Sequence, residues 1–74
     1  MYIVIEIQTN ADGTVGTIVN SYNSSAQADS KYYSILASAS LSSVPVHSAV
    51  IIKNDGRMVR FESYNHQPVQ NEEE

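Results

Sequence analysis

Two Asp-Gly pairs, Asp12-Gly13 and Asp55-Gly56, each stand between runs of residues that favour extended backbone. That repetition restricts the chain to folds containing two tight β-hairpins. Before the first pair, Ile3, Ile5 and Ile7 alternate with Val4, Glu6 and Gln8, the period of two expected of a strand. This predicts strand one over Tyr2 to Thr9. Asn10-Ala11-Asp12-Gly13 supplies the turn, with Gly13 free to take a positive φ, and strand two follows over Thr14 to Tyr22. Around the second pair, Val46 to Lys53 and Arg57 to Tyr64 read as strands three and four.

The period changes between the hairpins. Ser24 lies three residues before Gln27, the spacing of a capping box that satisfies orphan amides at a helix start. Ala28, Tyr32, Ile35, Leu36 and Ala39 then draw one apolar stripe, predicting a helix to about Ser42, and Pro45 cannot continue it. Serine recurs beside the stripe at 30, 34, 38 and 42. It is a mediocre helix former, so this helix depends on packing against a sheet. The predicted fold is α+β in the order ββαββ: a four-stranded antiparallel sheet with one helix on one face. The order 2-1-3-4 makes all neighbours antiparallel and strand one central. Residues 1–64 form a single domain on this reading, and residues 65–74, aperiodic and ending in Glu72-Glu73-Glu74, form a disordered acidic tail.

One helix covers one face, yet apolar residues fall on both. Tyr2 and Val4 oppose Ile3, Ile5 and Ile7; Ile51 opposes Val50 and Ile52; Met58 opposes Val59. With the isoleucines turned to the helix, Val4, Ile51 and Met58 lie on the free face, an exposed patch of the kind that marks an interaction surface. Tyr2, Tyr33 and Tyr64 join them as expected interface residues, because tyrosine buries a large ring and keeps a polar handle. Tyr33 is set about 100° from the core stripe. The first expectation is a homodimer in which two sheets pack back to back or edge to edge.

Composition narrows the chemistry. The 74 residues include no cysteine, which rules out a disulfide framework, a thiolate zinc site and a thiol nucleophile. The net charge is −4, but without the three terminal glutamates five acids stand against four bases. A nearly neutral body lacks the basic face of a nucleic-acid binder. No basic stretch precedes a long apolar run, so the expectation is a cytoplasmic protein with no membrane association.

His47 and His66 are the only histidines, and no cluster at metal-ligand spacing accompanies them, so no metal or other cofactor is expected. His47 reads as a partly exposed strand residue. Ser48 beside it points to the opposite face, which removes a nucleophile pair. Glu6 and Glu62 fall on the free face, as an ion-pairing site near Arg60 rather than a catalytic dyad. Lys53, Arg57 and Arg60 form the one basic cluster, able to contact an anion or to protect a sheet edge.

Ile5-Glu6-Ile7-Gln8, Asp12-Gly13, the tyrosine-containing helix of small residues, Ser43-Val44-Pro45-Val46-His47-Ser48-Ala49-Val50 and Asp55-Gly56-Arg57 together resemble short uncharacterised proteins encoded in phages and prophages of gut Firmicutes. The resemblance covers roughly residues 2 to 64 and brings no catalytic residues with it. It implies a small protein in the host cytoplasm that acts by binding a macromolecule. The expected function is a non-enzymatic accessory or assembly module that self-associates and contacts a host or virion protein. The alternative is an inhibitor of host defence, blocking an effector or sequestering a nucleotide signal with Arg57, Arg60 and Tyr64.

Overall fold

The computed structural model describes residues 1–66. Strands β1 (Tyr2–Thr9) and β2 (Val15–Tyr22) form the first hairpin, helix α1 (Ser25–Ala39) follows, and β3 (Val46–Lys53) and β4 (Met58–Asn65) form the second. The sheet order is β2-β1-β3-β4 with antiparallel neighbours throughout, so β1 and β3 are central.

Both turns obey their glycines. Gly13 and Gly56 have φ of 89° and 88°, values that a β-carbon resists. In the first turn the Thr14 amide and hydroxyl both donate to Asp12 Oδ1, at 3.0 and 2.7 Å. These bonds, the hydroxyl's foremost, hold the Asp12 carboxyl below its ordinary range. The Arg57 amide donates to Asp55 Oδ1 in the same way at 3.0 Å. Ser24 is the N-cap: its hydroxyl oxygen accepts from the amides of Ala26 and Gln27 at 3.1 and 3.4 Å. The helix stops at Ala39, short of the expected Ser42, as the amides of Leu41 and Ser42 turn to carbonyls three residues back, the tightened geometry common at helix ends.

The expected stripe is the buried one. Ala28, Tyr32 and Ile35 pack on Val4, Ala49 and Ile51, with Tyr2, Tyr22 and Leu36 around them, and Ala39 is buried at the end of the helix. This reverses the expected assignment of faces. The side chains under the helix are Val4 and Ile51, each almost wholly buried, and the face bearing Ile3, Ile5 and Ile7 is the one left uncovered. Val4 and Ile51 therefore do not line a free surface. The physical reason lies in connectivity: β2 and β3 are parallel, so α1 is a crossover. The face that such a helix covers follows from the handedness of its connection, not from which face carries more aliphatic carbon.

The C-terminal boundary also moves. Asn65 completes β4, and His66 is anchored, its amide donating to the Pro45 carbonyl and its Nε2 to the Ala39 carbonyl at 2.7 Å. The rest of the expected tail, residues 67–74, lies outside the described residues.

Two substitutions test this local reading by urea denaturation. Ser24→Ala removes the N-cap side chain of α1 and is expected to cost about 1 kcal/mol. Gly56→Ala costs about as much through φ alone, because a β-carbon there meets nothing within 4 Å. Gly16→Ala, equally unobstructed and without a positive φ, serves as the neutral control.

Candidate functional site

The pairing registers align side chains in rows across the sheet, and the two faces differ sharply. The face opposite the helix carries four rows: Ser21, Ile3, Ile52 and Met58; Val19, Ile5, Val50 and Phe61; Thr17, Ile7, Ser48 and Ser63; Val15, Thr9, Val46 and Asn65. No position in these rows is charged. The second row is entirely apolar and crosses the middle of the face. Every charged strand residue, Glu6, Lys53, Arg60 and Glu62, falls on the helix side. A β-bulge between Ile51 and Ile52 in the β3–β4 register brings Met58 opposite Ile52 and leaves Val59 as the extra residue.

Nothing within the described chain overlies the uncharged face. Phe61 is 64% exposed, Val19 58% and Met58 58%, while Ile3, Ile5, Ile7, Val50 and Ile52 are half-buried by their strand neighbours. Water-facing sheet faces ordinarily carry polar side chains, so this distribution is inverted for an isolated two-layer domain.

On the helix side a polar unit sits beneath the end of the core. Glu6 pairs with Ala49 and His47 with Gln8, which makes Glu6 and His47 diagonal neighbours. His47 Nε2 lies 2.6 Å from Glu6 Oε2, with the side chains 5% and 14% exposed. The Gln8 side-chain amide donates to the same oxygen at 3.0 Å. Burial pushes the Glu6 carboxyl up, but the bonds from His47 and Gln8, aided by the charges of His47 and Lys31, outweigh it and hold Glu6 below its ordinary value of 4.5. An ionised Glu6 requires Nε2–H as the donor. His47 Nδ1 is buried without a partner.

The expected sites are redistributed. His47 is buried rather than partly exposed, and Glu6 and Glu62 lie on the helix side rather than the free face. Arg60 reaches α1 instead of a strand carboxylate: its Nε donates to Asp29 Oδ1 at 3.2 Å, which raises its pKa further. Arg57 stands beside Asp55 at 3.7 Å, and Lys53 Nζ lies 5.9 Å from the centre of the Tyr2 ring. Lys53, Arg57 and Arg60 thus have three separate partners and do not converge. Tyr64, across from His47, stacks on His66 at 6.0 Å. Tyr33 packs edge-on against Tyr32 at 5.1 Å and is 54% exposed on the helix. Of the six residues expected at an interface, Met58 alone lies on the uncharged face. The apolar residues that do lie there are Ile3, Ile5, Ile7, Val19, Val50, Ile52 and Phe61, and the sequence carries one signal of it: none of the four strand charges shares their parity.

A groove of about 340 Å³ lies between the helix and the end of β2, lined by Tyr22, Gln27, Ser30, Lys31 and Ser34. It touches neither Glu6 nor His47. Among the described residues no group of three or more His, Asp or Glu could hold a metal ion, and no helix is long and apolar enough to cross a membrane. No family model, curated protein or solved structure matches the chain.

Two measurements follow from the polar unit. His47→Ala strips a mostly buried carboxylate of its nearest donor and is expected to cost about 2 kcal/mol, read by urea denaturation at neutral pH. Glu6 has a depressed pKa in the folded state, so its contribution is complete above 4.5 and is lost as the pH falls through the lower folded value. Asp12 acts in the same direction from 3.8 downward. Stability of the wild type should therefore fall below pH 4.5, and Glu6→Gln should flatten the upper part of that fall. An unchanged acid limb in Glu6→Gln would count against the Glu6–His47 bond.

Proposed function

We propose that the chain is a non-enzymatic interaction module that works through the open face of its sheet. One observation carries this reading: the sheet's four charges all lie on the helix side, while the uncovered face has none and is crossed by the row Val19, Ile5, Val50, Phe61. Exposed apolar patches of several hundred Å² on small proteins are typically contact surfaces. Here the apolar side chains lie on a rigid hydrogen-bonded sheet, so little side-chain entropy is lost when a partner covers them.

Glu6 and His47 have acid–base chemistry available in principle. Their placement beneath the helix, with Gln8 completing the carboxylate's partners, supports a structural role instead. The separation of Lys53, Arg57 and Arg60 favours protein contact over capture of a nucleotide signal. The resemblance to short phage and prophage proteins supports an accessory or assembly setting for such a module.

A photo-crosslinking amino acid placed at Phe61 or Val19 in producing cells is expected to give a covalent adduct with protein. The same group at Leu41, 90% exposed in the turn that follows α1, is expected to give none. Adducts at Leu41 with none at Phe61 or Val19 would overturn the reading.

A further inference from the structure

Resting on the reading of the open face as a contact surface, we infer that its occupant is a second copy of the same chain, seated face to face across a twofold axis. The geometry of the face points to this partner. Eight-residue strands at a rise of roughly 3.3 Å and four strands at a spacing of roughly 4.8 Å give a plan area on the order of 500 Å² per copy. Two such faces bury on the order of 1,000 Å², the lower bound of a specific interface, before corrugation adds to it.

Charge complementarity selects a copy over a partner of different character. A twofold axis brings each central side chain against its own counterpart. Any charge near the axis would meet a like charge, and a surface evolved for a charged partner would show the opposite sign. The face satisfies the first condition and lacks the second, since all its rows are neutral.

The arrangement of side chains matches as well. Ile5 and Val50 are register partners on the two central strands, so they lie at the middle of the face, flanked by Val19 and Phe61. Ile3, Ile52 and Met58 continue the apolar area on one side, and on the other Ile7 stands among hydroxyls: Thr17, and Ser48 donating to Ser63 at 2.9 Å. An apolar centre that gives way to neutral polar side chains is the usual anatomy of a protein interface. Twisted sheets stack about 10 Å apart with strands near −30°, which would give an eight-stranded sandwich with both helices outside. Residues 67–74 are a poor alternative cover. Their sequence has only Pro68 and Val69 as apolar side chains and ends in three glutamates, whose burial on an uncharged face would be costly.

The test is solution mass by light scattering after size exclusion, over a concentration series, on the full chain. The wild type is expected to be a dimer at micromolar concentration. Val50→Glu and Val50→Lys should each weaken association by about a hundredfold or more, because each places like charges against one another in a desolvated centre. Mixing the two variants should restore a dimer, which a merely misfolded variant would not do. Far-UV circular dichroism checks the fold of each. If either variant fails to fold, Phe61→Glu, on an edge strand and largely exposed, must produce the same loss.

A wild-type monomer across the series would overturn the second copy as occupant. The crosslink from Phe61 then separates the two readings: an adduct of a mass other than two chains keeps the contact surface with a different partner, and no adduct sinks both. A dimer indifferent to Val50→Glu and Phe61→Glu would place the interface elsewhere and overturn the inference. A mixture of Val50→Glu and Val50→Lys that stays monomeric would overturn the twofold arrangement.

Discussion

Tyr32 and Ile35 of α1, set against Val4, Ala49 and Ile51 of the central strands, form the contact on which the rest of the molecule depends. Ala28 and Ala49 are completely buried within it, and their small side chains let the helix lie close to the sheet. The core is accordingly thin. Neither disulfide nor metal ligand cluster supplements it among the described residues, and domains of this size are marginal when one small core must offset the chain's conformational entropy. With the one helix of the described residues committed to one face, those residues supply no covering layer for the other.

That commitment explains where the charges went. A strand residue on the helix side of the sheet can reach partners that protrude from α1 or from neighbouring strands. Arg60 meets Asp29 in this way, and Glu6 meets His47 and Gln8. On the opposite side the described residues supply no helix to provide a counter-charge, and the strands place no charge there. Segregation of this kind is the reverse of what an isolated sheet in water needs. It suits a sheet whose second face is to be taken out of water, where an unpaired charge would be penalised heavily.

The Glu6–His47 bond has a different role in this scheme. It links β1 to β3 across the middle of the sheet, between residues 41 apart in sequence. A one-residue slip between these strands would turn every side chain of one of them to the other face and would strand a buried imidazole and a mostly buried carboxylate. The polar unit therefore penalises the alternative registers that two strands apolar on both faces would otherwise tolerate. Its placement beside the core couples the acid sensitivity of the fold to the alignment of the two hairpins.

Local chemistry made the elements legible. The Asp-Gly turns, the hydroxyl of Ser24, the four-three-one-three spacing of the helix stripe and the barrier of Pro45 all act over a few residues, and each is written in adjacent positions. The bounds of β1 and β3 and the helix start followed from them, those of β2 and β4 to within a residue, while the order β2-β1-β3-β4 needed the further condition that the helix runs back along the sheet and sets β3 beside β1. The site was less legible because Tyr2 and Val4 alternate with Ile3, Ile5 and Ile7 so that both parities are apolar, and the period of two is identical for either choice of face. His47 reads as a partly exposed strand residue because its partner, Glu6, lies on another hairpin. What the sequence by itself determined was which segments bend, extend or coil. What only the tertiary structure decided was which face the helix covers, and hence that Val4 and Ile51 are core while Ile5, Val50 and Phe61 are surface. The crossover of α1 over the sheet is a global, chiral property of the connected chain, and no alternation of side chains along a single strand can encode its hand.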